Sequence, residues 1–578
     1  RTIRMEIINH TPVTKRWSIA APIPPEINQE LADFPPLLRQ LLYNRGVRDA
    51  ETAQAFLSAS APEATDPFLI RDMPQAVELL HSAMTEGTPI AIYGDYDVDG
   101  VTSTVLLYEL LQKLGASPRI YIPNRFDEGY GLNLDAVEQL ANEGIGLIIT
   151  VDCGIRSVEE IALARRLGMR VILTDHHQPG EILPPADAIL NVHQPGDSYP
   201  FKDLVGVGLA YKLAAAYLTA YPQPGVSAED WLDLVALGTV ADMAPLAGEN
   251  RALVRAGIQT MSKLGRQGLY SLAQVSGVNL EQLNASHIGF RLAPRLNAAG
   301  RLDSAMSAFH LLSAQDALTA GELALQLDSQ NRERQEIMAR IQESVLQNVL
   351  QAEVQPLIVF DASPEYNEGV VGLAASRITE ALYRPSIIGH RGEEMVVASC
   401  RSIAGFNITQ ALDACADLLV RYGGHSMAAG LTVTNENLPE LLRRLNSLAE
   451  QNLQGLELAP VLAIDKEIAL DSLPAAEIPR IFEMVSLLEP TGRGNPEVLF
   501  CSRNLQVSRV YPVGNGQHLR LVLNAGRVRY EAIAFGQGHW NGQLPGMVDI
   551  AYSFEINKYQ GRESLQLNIK DIKPSEGI

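Results

Sequence analysis

Three aspartates stand at every second position in the heptad GDYDVDG, Gly94 to Gly100, which closes on a glycine. This is how a calcium loop begins, with oxygen ligands at positions 1, 3 and 5. With Asp95 as position 1, however, the bidentate glutamate needed at position 12 is Leu106. The preceding PIAIYG is a short β-branched apolar run, which predicts a buried strand. The following VTSTVLLYELLQKLG has apolar residues at helical spacing and stops on glycine. The aspartates therefore sit where a strand hands over to a helix, which is not the context of a calcium loop.

Two other apolar runs end in the same way. GLIITVD ends on Asp152, and RVILTD ends on Asp175, followed by His176 and His177. A further carboxylate, Asp242, follows a helical segment in ALGTVADMAP. In open α/β sheets ligands bind beyond the carboxyl ends of the strands, so strands lying side by side would gather these groups. Four or five gathered carboxylates repel one another unless cations neutralise them. Carboxylates with imidazole and without thiolate suit Mn²⁺ or Mg²⁺. Two such ions about 3.5–4 Å apart form the arrangement that activates water for in-line phosphoryl displacement. Taken singly, an aspartate at a strand end is usually a helix N-cap, and the histidine pair equally suits a surface loop.

The positioning elements follow from periodicity. From about residue 75 to 245, strand candidates (PIAIYG, RIYIP, GLIITVD, RVILTD, DAILNV) alternate with helical patterns at 101–114, 134–142 and 157–167. The alternation predicts a parallel sheet covered by helices. From Ala314 to about Gln351 the chain is nearly free of Gly and Pro, which predicts a long helix joining two lobes. A second mixed α/β region spans about 356–453, and after Gly455 short strands broken by turns predict an antiparallel barrel or sandwich.

Composition sets limits on partners. A net charge of −21 argues against a broad basic surface, although a local basic channel or bound cations can offset it. No apolar run reaches the roughly 20 residues needed to span a bilayer. The first residues lack the apolar core of a secretory signal, and four scattered cysteines form no disulfide framework. The expectation is a cytoplasmic protein without a membrane partner.

DYDVDG, VDCG, TDHH and ADM, in this order and spacing, resemble the four motifs of the DHH phosphoesterase superfamily. GGHSMAAG, with EGVVGLAASRI and SCRSIAGFNI, resembles the DHHA1 domain that accompanies it. YIPNRFDEGYGL, RLAPRLNAAGRLDSA and the C-terminal β region are similar to the RecJ family of single-strand-specific 5′→3′ exonucleases, from about residue 30 to the C-terminus. The resemblance implies a parallel-sheet DHH domain joined by a long helix to a DHHA1 α/β domain, plus a C-terminal antiparallel OB-like domain. The expected divisions are an N-terminal segment 1–70, the DHH domain 71–260, a helical region 261–352, the DHHA1 domain 353–455 and the OB-like domain 456–578.

The resemblance also implies two divalent cations, Mn²⁺ foremost and Mg²⁺ as the alternative. Asp97 would hold one and Asp99 the other, with Asp152 shared, His176 and Asp242 completing the second, and Asp95 assisting the first. His177 would contact phosphate or supply a proton, and Asp175 would orient the histidine loop. Many family members have histidine where this chain has Tyr93, which leaves the first cation short of a ligand unless Asp95 substitutes. Arg125, Arg301 and Arg401 would grip phosphates, with Asn297, Ser402, Gly424 and His425 as further substrate contacts. Arg520, Arg527, Tyr530, Lys558 and Tyr559 are candidates for an OB-type single-strand surface.

The implied activity is stepwise release of mononucleotides from single-stranded DNA in repair and recombination, by a monomer. A cleft between the metal lobe and the GGH lobe would admit single strands only, and a single-strand-binding protein and a helicase are implied partners. A DHH phosphodiesterase for cyclic dinucleotides or short oligonucleotides is the alternative. The long C-terminal region disfavours it, and the retained acidic set disfavours a non-catalytic scaffold.

Overall fold

The computed structural model describes residues 13–59, 65–124, 128–129, 131–263, 265–351, 356–474, 477–559 and 562–575. The chain forms two compact units. One comprises Ala55–Glu336 with Glu489–Pro496, and the other comprises Arg1–Gln54, Ile337–Leu488 and Glu497–Ile578.

The first unit is built on a five-stranded sheet whose every pairing is parallel. Its order is Arg119–Tyr121, Ile90–Gly94, Leu147–Val151, Arg170–Thr174 and Ala188–Leu190. Ile90–Gly94 and Leu147–Val151 are buried at every residue, as a strand covered on both faces requires. Side chains alternate between those faces. Ile90 and Ile92 pack with Val101, Val105 and Leu106 of the helix Val98–Lys113, whereas Ala91 and Tyr93 pack with Ala136, Val137 and Ile161 on the opposite side. Of this sheet's five strands, the first in chain order, Ile90–Gly94, lies inside, with the second on one side and the third on the other. The direction of winding therefore reverses between Ile90–Gly94 and Leu147–Val151, and their carboxyl ends open the crevice where such sheets bind ligands.

In the second unit a five-stranded sheet runs Leu419–His425, Ala428–Thr434, Met395–Arg401, Ser386–Arg391 and Val359–Ser363. It is antiparallel except for the last pair. Phe500–Val513, His518–Ala525, Val528–Ala534, Arg562–Pro574 and Met547–Tyr559 form a closed barrel, since the first and last also pair. The expectation of an antiparallel barrel holds for four of its contacts, but Val528–Ala534 and Arg562–Pro574 are parallel. Strand directions cannot alternate all the way round a ring of five, so one parallel contact is unavoidable. Arg16–Ile19 pairs with Val461–Ile464.

The long helix runs from Ala317 to Gln351, contributing its first part to one unit and the remainder to the other. Among the described residues no helix is long and apolar enough to cross a membrane.

Candidate metal centre

The helix Val98–Lys113 begins at Asp97, whose Oδ1 accepts from Gly100 N at 3.0 Å. The bland reading of this aspartate as an N-cap is therefore correct, and its carboxylate also faces two others. One oxygen each of Asp95, Asp97 and Asp152 lie within 4.8 Å of one another, and so do ligand atoms of Asp99, His176 and Asp242. Asp152 belongs to a third such group with His176 and His177, so it stands where the two sets meet.

Asp99 is fixed by backbone. Its Oδ2 accepts from Gly206 N at 2.6 Å and its Oδ1 from Val207 N at 2.8 Å. These are the orphan amides at the start of the helix Gly206–Ala220, a favourable place for a carboxylate. Asp152 holds φ near +60°, followed by Gly154 at +110°. Aspartate tolerates the left-handed region better than most residues, and such strain is characteristic of working sites. His176 Nε2 lies 3.2 Å from Asp152 Oδ1, 3.8 Å from Asp99 Oδ2 and 4.0 Å from Asp242 Oδ2. Asp175 accepts from Ile155 N, from His177 N and from His177 Nδ1, the last at 2.7 Å. It braces the histidine loop.

The electrostatics fit a cation pair. Burial, then the charge of Asp97, pushes Asp99 up to about 7 despite its two amide donors. Burial and Asp99 do the same to Asp242, also to about 7. Asp152 is raised by burial and by four neighbouring aspartates. For His177, burial opposes protonation, but the bond to Asp175 and the surrounding carboxylates outweigh it and lift the imidazole to about 9. Burial and the adjacent His177 keep His176 low, which favours the neutral, ligating imidazole. Oxygen and imidazole donors, crowded and desolvated, suit Mn²⁺ or Mg²⁺.

These shifts carry a sign. Acids raised in the folded state stabilise the metal-free fold fully below the unfolded value, and lose that contribution as pH rises through about 7. A cation must displace the protons they retain at pH 6. Mn²⁺ affinity is expected to climb by at least tenfold from pH 6 to 8 and then level off. Calorimetry in two buffers of different ionisation enthalpy should register proton release at pH 6 and little at pH 8. A pH-independent affinity would contradict this account.

The structure places two residues near the cluster that sequence reasoning passed over. A Cβ on Gly206 would lie 2.7 Å from Asp152 Cβ, 2.9 Å from Asp152 Cγ and 2.9 Å from Asp99 Oδ2. One on Gly238 would lie 3.0 Å from Asp99 Oδ1 and collide with Thr102 Oγ1. For Gly238 the available signal was a glycine inside a helical pattern, where it costs about 1 kcal/mol relative to alanine and so points to close approach; Gly206, at a helix start, offered no such signal.

Tyr93 lies outside these acid–histidine groups. Its strand position turns it to the face opposite the helix Val98–Lys113, where its hydroxyl donates to Gly131 O at 3.1 Å and its ring stacks on Tyr121 at 4.9 Å. Tyr93→Phe is expected to lose about 1 kcal/mol of stability, the worth of one such bond, with Mn²⁺ stoichiometry and turnover within twofold of the parent. Thermal melting and metal titration check this.

The expected substrate contacts fare unevenly. Arg125 lies outside the described residues, as do the side chains of Lys558 and Tyr559. Asn297 Oδ1 accepts from Val98 N at 3.2 Å, bracing the aspartate loop. Arg301 lies in the last turn of the same helix, Ala293–Leu302. Arg401 donates to Ser376 Oγ at 2.9 Å and to Cys400 O. Ser402 is buried and its hydroxyl donates to Phe406 O at 2.6 Å, closing a tight turn. Gly424, at φ +150°, and His425 lie exposed on the edge strand of a hairpin. Tyr530 is packed into the barrel with its hydroxyl on Leu470 O, so it offers no stacking face, and Arg520 pairs with Glu531 at 2.8 Å. The barrel exposes Tyr511 and Phe535 instead.

An acid–histidine cluster at the winding reversal of a parallel sheet, with a GGH-bearing α/β sheet later in the chain, defines a DHH phosphoesterase. Residues 89–239 match the DHH family, N-terminal domain, 347–451 the DHHA1 domain and 464–571 the RecJ OB domain. The chain is 38% identical over 568 residues to the single-stranded-DNA-specific exonuclease RecJ of Bacillus subtilis, covering 97% of this chain and 71% of that one. It is 36% identical to the RecJ of Escherichia coli, covering 94% and 96%. The crystal structure of Thermus thermophilus RecJ in complex with Mn²⁺ superposes with a TM-score of 0.81 at 32% identity, over 97% of this chain and 80% of that one; its Mg²⁺ complex gives 0.76 at 29%. The chain belongs to the RecJ family.

Proposed function

We propose that the protein is a single-stranded-DNA-specific exonuclease that uses divalent cations, works 5′→3′ and releases mononucleotides in DNA repair and recombination. The observation that carries the reading is the set of three-residue ligand groups, two of which share Asp152 and two of which share His176. Asp95, Asp97 and Asp152 would hold one cation, with Asp95 in the place left open by Tyr93, and Asp99, His176 and Asp242 the other. When bound, the cations supply Lewis-acid charge at the phosphate and a water activated near neutral pH.

The chain's own residues do the rest. Amides of Gly206 and Val207 hold Asp99 in register, and Asp175 fixes His177 through Nδ1. Nε2 of His177 would then give or take a proton at the phosphate. Arg301 and Arg401, with Arg125, would grip backbone phosphates, and Gly424 and His425 would add contacts from the hairpin. Four free cysteines, all buried, agree with a cytoplasmic setting. Monomeric action alongside a single-strand-binding protein and a helicase belongs to the same proposal.

Single strands labelled at the 5′ or the 3′ end, incubated with Mn²⁺ beside blunt duplex and a cyclic dinucleotide, test the reading. The expected result is prompt release of labelled mononucleotide from the 5′ end only. Equal attack on duplex, release from the 3′ end first, or preference for the dinucleotide would overturn it.

A further inference from the structure

Phe290 is the most exposed large hydrophobic residue among those described, at 79%. It stands on a π-turn, Ile288–Leu292, that continues into the helix Ala293–Leu302. Lone exposed phenylalanines are common and need no reason, but the placement of this one is specific. A Cβ on its neighbour Gly289 would lie 3.6 Å from Val240 Cγ1, two residues before Asp242. Further along the same helix, Asn297 accepts from Val98 N, and a Cβ on Gly300 would lie 2.7 Å from Tyr96 O. The segment 288–302 thus runs from the Asp242 loop to the Asp95–Val98 loop, along the border of the acid–histidine cluster, with Phe290 at its Asp242 end.

Two more observations point the same way. Met243, directly after Asp242, is 68% exposed and held at φ +58°, an uncommon cost for a residue with a bulky side chain. Between Glu281 and Asp303 the sequence holds three arginines and no carboxylate, in a chain of net charge −21. Arg295 is held by Asp328 at 2.9 Å, while Arg291, beside Phe290, is exposed. An open aromatic face next to an exposed guanidinium, on a segment without acids, is complementary to a base and its phosphate. π-turns recur at functional sites because they redirect a side chain out of the helical register.

We propose that Phe290 is a nucleobase-stacking platform, flanked by Met243 and Arg291, that holds one base of the single strand next to the reacting phosphate. The proposal rests on the nuclease reading above. Stacking on an aromatic ring is sequence-tolerant, since every base has a π-face. A platform at the mouth would therefore favour unpaired bases without selecting among them.

The test uses the full chain with Mn²⁺ and single strands carrying one abasic residue, stepped along the first six positions from the 5′ end. Parent, Phe290→Ala, Phe290→Leu and Phe290→Tyr are compared by kcat/KM. For the parent, one abasic position should lower kcat/KM by about 5- to 100-fold, the usual worth of a base–aromatic stack. Phe290→Ala should lose a similar factor on the intact strand and be indifferent to the abasic residue at that position. Phe290→Leu, which keeps an apolar side chain without a π-face, should behave like alanine, and Phe290→Tyr like the parent. If alanine fails to fold, leucine carries the comparison.

Losses that simply multiply, or a leucine variant as active as the parent, would overturn the stacking role while leaving the nuclease reading intact. A parent protein inactive on every single strand would instead defeat that reading.

Discussion

Asp152→Asn is expected to cut Mn²⁺-dependent nuclease turnover by about 10³-fold or more while raising the melting temperature of the metal-free protein. The two effects share one cause. Asp152 is buried, crowded by Asp99, Asp97, Asp95 and Asp175, and its carboxyl is pushed well above the usual range. The metal-free fold must either carry that charge against burial and repulsion or hold a proton that the unfolded chain has released, and either costs stability. Asparagine removes the charge, keeps the shape and accepts the left-handed backbone, in which Asp152 has φ near +60°. A gain of roughly 2–6 °C follows if one or two kcal/mol of repulsion is relieved.

Function moves the other way, because Asp152 belongs to two of the three ligand groups and an amide is a poor substitute for a shared carboxylate. Mn²⁺ should accordingly raise the melting temperature of the parent and leave that of the variant nearly unchanged. Calorimetric melting with and without Mn²⁺, alongside the nuclease assay, checks both halves. A variant that kept full activity would sink the assignment of Asp152.

Gly206→Ala is expected to cost about 10²-fold in turnover although glycine offers no side chain to lose. The added methyl would sit 2.7 Å from Asp152 Cβ and 2.9 Å from Asp99 Oδ2, well inside van der Waals contact. Something must shift, and the amide of Gly206 is itself a donor to Asp99. Relief therefore either breaks that bond or swings a carboxylate. A displacement near 1 Å in a preorganised site costs about 10²-fold. The diagnostic is weakened Mn²⁺ binding without gross unfolding. Gly208→Ala, on the same helix but contacting Leu204 rather than an aspartate, should retain metal affinity near the parent value. Equal losses at both positions would mean that the helix, and not the carboxylate pair, is responsible.

Much of this protein was legible in the sequence, because the signals involved are local. β-branched runs ending in aspartate gave the buried strands and marked which of their ends carries chemistry. Order and spacing of the four acidic motifs gave the superfamily, and a stretch of 35 residues without proline gave the long helix Ala317–Gln351. What the sequence could not supply was adjacency. That Asp152 meets Asp95 and Asp97 depends on Ile90–Gly94 pairing with Leu147–Val151, a contact between residues more than 50 positions apart, to which local periodicity is blind.

Tertiary structure likewise decided which side chains were already committed. The hydroxyl of Ser402, an expected substrate contact, is spent on Phe406 O within its own turn. Tyr93 lies one residue from the metal loop, yet alternation along the strand sends it to the opposite face. The amides that clamp Asp99 come from Gly206 and Val207, where no side chain could advertise the role. Residue types and spacing thus determined which chemistry was available. Strand order, facing and close backbone approach decided which groups perform it, because those depend on contacts made only once distant segments have packed.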